Sequence, residues 1–447
     1  MWCMPKAAAS LISPFGIAFS RPTFQRATVL MLGAILAMRQ RTVTALLRAV
    51  GGLAQGHWSD FHRVLCLRVW SPWPLGRVLA ALILDLLPPD QPVLCPVDDT
   101  TPQHKGKKVY GKGCHHDALR STHSHMVWVW GHKWVVLGIN VQFPFACRPW
   151  ALPVLCALYR PEALDREEGR RHKTPIHLAR QLIATLIHWF PRRKFILLGD
   201  GGYASHTLAQ FCWEHRDHVT LVSRFYRDAN LYAAPPAQRG RTGRPRLKGP
   251  KLAAPGWIVA RTPRRRYTVS WYGGQTRRVE LVWGEGRWYK SGEGLVPVRW
   301  VFVHDLQGTH RDEYFYATDP TLPPDQLVSL FTGRWSIEVT FQEVRRHLGF
   351  ATPRNWSKPS VLRTAPCLLG LYSVVSLIFA RLWRAARFSP QADPWYAKKE
   401  LTFSDAIAAV RRLCRSEVFK RSPKHKGVLK LPRVLRLTLL DQLCRTA

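Results

Sequence analysis

The sequence predicts a mixed α/β protein: a parallel strand pair ending in acidic residues, a helical N-terminal region and an antiparallel β insertion. Three observations lead there. Short apolar runs bounded by Gly or Pro alternate with helical patterns between residues 91 and 225. Longer alternating runs rich in Val, Trp and Tyr follow between 267 and 318. An amphipathic pattern, LFTGRWSIEVTFQEVRRHLGF, fills Leu330 to Phe350.

Residues 1–90 read as helical. Phe24–Met38, Thr42–Val50, His57–Trp70 and Pro74–Leu87 carry helical spacing, with Gly51-Gly52 as a stop and Ser59 as a cap. Arg and Trp on their polar sides fit a helix-turn-helix-like DNA-binding unit, and they fit a plain helical bundle equally. Ala7–Phe19 is apolar after Lys6, but Pro14 interrupts it and it does not read as a secretory signal.

Residues 91–225 read as the first part of the core. Pro92–Val97 is a strand ending at Asp98-Asp99-Thr100. His125–Trp130 and Lys133–Val141 read as a hairpin turning at Gly131-His132. Thr174-Pro175 starts a helix, with Pro at its first position. Lys194–Leu198 is a strand ending at Gly199-Asp200-Gly201-Gly202, followed by a helix over Tyr203–Glu214 and a strand over His218–Phe225. Strand, hairpin pair, helix, strand, helix, strand is the order of a ribonuclease-H-like fold. Its first and fourth strands lie side by side and parallel, which brings Asp98 and Asp200 to one edge.

Residues 226–322 read as a basic loop and an inserted β subdomain. Arg239–Lys251 has many positive charges and no hydrophobic period, and Gly243-Arg244-Pro245-Arg246 suits an extended arm in a minor groove. Residues 323–380 return to the core as helices carrying Glu338, and 381–447 form a basic helical C-terminal region. Thr364–Ala380 is uncharged for 17 residues, the lower limit for crossing a bilayer, and is expected to be a buried helix.

Lys plus Arg number 66 against 29 Asp plus Glu, a net charge of +37 that calls for a polyanion or an anionic surface as partner, with nucleic acid the first candidate. The 10 cysteines form no CxxC pair and suit a reducing compartment. Cys114-His115-His116-Asp117 lacks a second ligand pair at zinc spacing.

Periodicity puts Phe331, Arg334, Glu338 and Arg345 on one side of the 330–350 helix, with one carboxylate between two guanidinium groups. Phosphodiester cleavage needs an activated oxygen nucleophile and charge stabilisation on both attacking and leaving oxygens, the work of two divalent ions about 3.5–4 Å apart. Oxygen ligands suit Mg²⁺, with Mn²⁺ as a substitute. Asp98, Asp200 and Glu338 could hold such a pair, and Arg334 and Arg345 could neutralise phosphates beside it. Asp99 competes with Asp98, and Glu343 with Glu338.

The stretches VDDTTPQHKGKK (97–108), ILLGDGGYAS (196–205) and DPTLPPDQLVSLFTGRWSIEVTFQEVRRHLGF (319–350) resemble bacterial insertion-sequence transposases of the DDE superfamily. The resemblance implies an Asp-Asp-Glu triad at Asp98, Asp200 and Glu338, cutting of DNA at transposon ends, and joining of the freed 3′-hydroxyl to target DNA. It implies double-stranded DNA as partner, a homodimer on DNA, no membrane, and a cytoplasmic, nucleoid-associated setting. Related proteins often carry Tyr, Arg, Glu and Lys around the third carboxylate. Here Phe331 and Arg345 stand where Tyr and Lys would. By resemblance, Trp271 or Trp288 would stack on an unpaired base, against a core role for each. An inactivated transposase that only binds DNA, and a metal nuclease without strand transfer, are the other readings of the same residues.

Overall fold

The computed structural model describes residues 4–117, 120–122, 124–236, 246–385, 400–421 and 431–444. The chain opens with helices α1 (Lys6–Ile12), α2 (Arg21–Leu36), α3 (Val43–Val50), α4 (Trp58–Cys66) and α5 (Pro72–Leu84). The Thr42 side chain caps α3 by accepting from the Ala45 amide. His57, not Ser59, is the N-cap of α4: its ring nitrogen takes the Ser59 amide, and Ser59 is already inside the helix. The apolar stretch after Lys6 is packed, with Met4, Ala8, Leu11 and Ile12 buried in the main core.

Strands β1 (Val93–Thr100), β2 (Gly113–His116), β3 (Trp128–Gly131), β4 (Lys133–Val141) and β5 (Trp150–Tyr159) follow, then α6 (Glu162–Glu167), α7 (Pro175–Trp189), β6 (Phe195–Gly199), α8 (His206–Glu214), β7 (Val219–Arg224) and β8 (Leu231–Tyr232). The start of α7 is as its sequence implies. Pro175 occupies the first turn, and Thr174 and His177 exchange backbone hydrogen bonds in a capping box. The chain continues through α9 (Pro255–Val259), β9 (Arg265–Ser270), β10 (Thr276–Lys290), β11 (Gly294–Asp305) and β12 (Glu313–Ala317). It ends through α10 (Pro324–Gly333), α11 (Ser336–Leu348), α12 (Lys358–Arg384), α13 (Phe403–Arg421) and α14 (Arg433–Cys444).

One mixed sheet runs β5-β4-β1-β6-β7-β12-β11-β10-β8, with β9 also on β10. β1 and β6 are parallel neighbours, paired from Val93↔Phe195 to Val97↔Gly199. β6 and β7 are parallel too, while β4 pairs antiparallel with both β1 and β5. The expected hairpin at Gly131-His132 does not form. β3 pairs back onto β2 in a separate two-stranded sheet, and the partner of β4 is β5. Burial separates the two strands: β4 is buried almost throughout, as an inner strand must be, whereas β3 alternates exposed and buried residues.

The antiparallel strands expected as an insertion do form, but they extend the main sheet through the pairing of β12 with β7. Helices α5, α7 and α12 pack on the sheet, and one continuous apolar core joins them to α2–α4 and α13. α12 is long and apolar enough to cross a membrane by length and composition, and most of that stretch is buried inside the protein. Two buried arginines tie the outer helices to α11. Arg41 and Arg411 both donate to the His347 carbonyl, at 2.6 and 3.2 Å, and also reach Ala34 and Ile35 carbonyls at the end of α2. Cations there suit the negative ends of both helix dipoles.

Candidate active site

β1 changes partners along its length, and this makes the site. Its first half pairs with β6 up to Val97, which also meets β4, and its second half, residues 98–100, pairs only with β4. Pro96 is tolerated inside the strand because β4 pairing begins one residue later. Asp98 therefore lies within β1, not past its end as the sequence suggested. It sits where β6 has just run out, beside Asp200, in the crevice at the carboxyl ends of two parallel strands.

Asp200 leaves β6 into a tight turn and accepts the Gly202 amide at 2.9 Å. Asp98 accepts the Asp99 amide at 2.7 Å. Burial pushes the Asp98 carboxyl up to about 7; Arg334 opposes this, while Asp200 and Asp99 add to it. Asp99 pairs with Lys133 at 3.3 Å, and the Asp200 charge reaches both Asp98 and Asp99. Consecutive strand residues face opposite sides, and of the two only Asp98 is bonded to Arg334.

Glu338 arrives on α11. Residues 330–350 form two helices, α10 and α11, rather than one. Between them Arg334 and Trp335 make i→i−3 hydrogen bonds to Phe331 and Thr332, a tightened turn that changes the helical phase. Asn140 of β4 donates to the Gly333 carbonyl and accepts from Ser336, which fixes this joint to the sheet. Thr340 donates to the Ala151 carbonyl at 2.7 Å and fixes α11 to β5. Gly349, at φ 58°, ends α11 in the left-handed conformation that favours glycine.

Arg334 joins the elements. It donates to Asp98 Oδ2 at 3.1 Å and to Glu338 Oε1 at 2.6 Å. Its side chain is 10% exposed, against 16% for Asp98 and 42% for Glu338. Burial disfavours its charge, but Asp98 and Glu338 outweigh burial and hold it above the ordinary arginine value. The other members of the expected row fall differently. Arg345 is bonded to the Thr100 hydroxyl, so Glu338 is not flanked by two guanidinium groups. Phe331 is buried and stacked on Phe315 with ring centroids 4.0 Å apart, and its ring lies 5.7 Å from the Arg334 guanidinium carbon, so it stays beside Arg334 while facing the core. Glu343 pairs with His347 at 3.1 Å and takes no part.

Arg246 is exposed on the basic loop, and Arg244 lies outside the described residues. Trp271 and Trp288 are both buried. Trp288 packs against His206, Phe225 and Tyr316, and neither ring is open to a base. The sequence reading missed Tyr203, whose hydroxyl is buried with no hydrogen-bond partner among the described residues. Burial, then Asp99, Asp98 and Asp200, hold that phenol well above its ordinary value. Its position three residues after Asp200 was the available signal.

Among the described residues no three His, Cys, Asp or Glu side chains are gathered closely enough to hold a metal ion as they stand. Arg334 occupies the space between Asp98 and Glu338. The donor set nevertheless suits a hard cation: the ligands are all oxygen, and burial, with smaller additions from Asp200 and Asp99, raises the Asp98 carboxyl even with Arg334 beside it.

A family model described as DDE superfamily endonuclease matches residues 14–278. The chain belongs to that family. The match spans Asp98 and Asp200 and ends before Glu338. Among solved structures this DDE superfamily endonuclease is similar to piggyBac transposase in a cryo-EM synaptic complex with hairpin DNA. The TM-score is 0.42 and the identity 11%, over 98% of this chain and 81% of that one. No curated protein matches it.

Proposed function

We propose that this DDE superfamily endonuclease is a DNA transposase. In this reading it cuts phosphodiester bonds at transposon ends and joins the freed 3′-hydroxyl to target DNA. The observation that carries the proposal is the Arg334 bridge, which ties Asp98 of β1 to Glu338 of α11 beside Asp200 of β6. The order β5-β4-β1-β6-β7, with an antiparallel β5-β4-β1 and a parallel β1-β6-β7, supports a ribonuclease-H-like core. In that core 91–225 and 323–380 form the catalytic unit, 226–322 the insertion, 1–90 a DNA-binding unit and 381–447 a basic C-terminal region.

Asp98, Asp200 and Glu338 would hold the divalent ions, taken as Mg²⁺. Bound there, the ions would favour the ionised nucleophile and take up charge on the leaving oxygen. Burial raises the Asp98 carboxyl, so positive charge held beside it would favour its ionised form. Arg334, bonded to Asp98 and to the more exposed Glu338, would have a guanidinium edge to offer a phosphate once Glu338 served an ion. Arg345, at Thr100, presents a second positive charge two residues along from Asp98. Joining two ends requires two such sites, hence a homodimer on DNA. The setting is the bacterial cytoplasm, beside the chromosome.

The test is cleavage and joining of labelled DNA carrying the element's own ends, with Mg²⁺, for the native protein, Asp200→Asn and Glu338→Gln. The native protein is expected to cut and join, and the variants to bind and do neither. If all three bind equally and none cuts, the chain is a DNA-binding remnant of a transposase. Cutting without joining would make it a metal nuclease.

A further inference from the structure

A second site lies beside the carboxylates. The loop leaving β1, the β2–β3 sheet and the start of α12 enclose an open cleft of about 1190 Å³. One wall is aromatic. Trp128 and Trp130 are 59% and 58% exposed, on one face of β3, while Val129 between them is buried. Trp356, 68% exposed, also lines the cleft. The loop supplies cations: Lys105, Lys107, Lys108 and Lys112 all line it, with the Lys112 ammonium 5.2 Å from the Trp130 ring centroid. Three indoles held in water among lysines call for a partner that offers flat rings and negative charge.

The cleft is joined to the carboxylates. His104 donates to the Trp130 carbonyl at 2.9 Å, and His132 to the Pro102 carbonyl at 3.1 Å, so the β2–β3 sheet is bound to the segment that follows Asp98-Asp99-Thr100. Gly131 is required at this junction, because a Cβ there would meet the Pro102 carbonyl oxygen at 2.3 Å. A line of charges runs the same way. Arg345 bonds Thr100, Asp117 acts on Arg345, and Arg120 at the cleft pairs with Asp117 at 3.7 Å.

We infer that this cleft binds an unpaired stretch of DNA strand running from the carboxylate site, its bases stacked on Trp128 and Trp130 and its phosphates on the lysine loop. This rests on the DNA reading above. Alternate strand residues on one face are about 6.6 Å apart, twice the roughly 3.4 Å stacking step of nucleic acid, so one base fits between the two indoles. A paired duplex keeps its bases inside and cannot use this wall. Its aromatic rings therefore select for unpaired strand, and its lysines add salt dependence.

The test is fluorescence anisotropy of the full chain with a labelled 15-nucleotide oligothymidylate and, separately, a labelled blunt 20-base-pair duplex. Trp128→Ala/Trp130→Ala is expected to weaken oligothymidylate binding by at least about tenfold, and duplex binding less than about twofold. Trp128→Phe/Trp130→Phe should keep most of the affinity, because a ring remains. Both indoles are exposed, so melting temperature should be unchanged. Lys105→Ala/Lys107→Ala/Lys108→Ala should reduce the slope of log affinity against log salt by about two for the single strand. Equal loss on both DNAs, or no loss on either, overturns the assignment of this cleft and leaves the transposase reading standing. A native protein that binds neither DNA overturns both.

Discussion

Removing the guanidinium of Arg334 strands a buried carboxylate, and the structure sets how much that costs and when. Arg334→Met keeps the side chain's bulk and deletes its charge. The Glu338 arm is worth little, because Glu338 is 42% exposed and water replaces its partner, leaving at most about 1 kcal/mol. The Asp98 arm dominates: both partners are mostly buried at 3.1 Å, and a carboxylate left charged there would cost about 3–5 kcal/mol, which Asp98 escapes in part by taking up a proton. That cost exists only while Asp98 is ionised. Burial holds its carboxyl at about 7, so the penalty should be present well above that pH and mostly absent well below it. A 447-residue chain melting as a unit shifts by about 1 °C per kcal/mol. One pH unit above a carboxyl at about 7, taking up that proton costs about 1.4 kcal/mol, so differential scanning fluorimetry should show the Arg334→Met deficit near pH 8 exceeding that near pH 5.5 by about 1–2 °C. The double variant Asp98→Asn/Arg334→Met should recover most of the loss near pH 8. An equal deficit at both pH values, or additive single variants, would refute the buried pair as the source.

Other outcomes follow from the same geometry. Asp98→Asn should stabilise the protein at high pH: from 3.8 to about 7 the unfolded chain loses a proton that the folded one keeps, so native stability falls through that window. At 1.36 kcal/mol per pH unit the total is about 4 kcal/mol, and melting curves at pH 4 and pH 8, with and without Mg²⁺, read it directly. Phe331→Tyr should gain no DNA affinity and should lose about 1–3 kcal/mol, because its hydroxyl would enter the packed stack on Phe315; denaturant melts and binding assays separate the two effects. Thr340→Val should lower cleavage more than DNA binding, since it frees α11 from the Ala151 carbonyl and lets Glu338 drift; gel assays of both activities check this.

Local chemistry made parts of this legible. Thr174-Pro175 marks the start of α7 because cap and proline are read within four residues. The acidic ends of two apolar runs are visible as pattern, and parallel pairing of β1 with β6 makes neighbours of Asp98 and Asp200. What was not legible depends on partners distant in the chain. Nothing local tells β3 to pair with β2 rather than β4; its alternating burial, against the fully buried β4, was the clue. The break at Arg334-Trp335 has no proline, and a turn tightened by i→i−3 bonds shifts the phase without altering the apolar spacing on either side. Phe331 keeps its place beside Arg334 across this joint, and its burial against Phe315 was what the local pattern did not show.

The way β1 gathers its neighbours has a consequence for the newly made chain. Its first half needs β6, about 100 residues later, and the bridge from Asp98 must wait for Arg334 and Glu338, 240 positions downstream (338 − 98). At about 5–20 residues per second on the ribosome, that interval is about 12–48 s. During it the nascent protein carries an unpaired strand edge and half a set of carboxylates, so an interrupted or nicked product lacks the full constellation. Only a chain completed through α11 brings Asp98, Asp200 and Glu338 to one place. The long sequence separation that makes the sheet slow to close thus also makes this set of carboxylates one of the last features the chain can assemble.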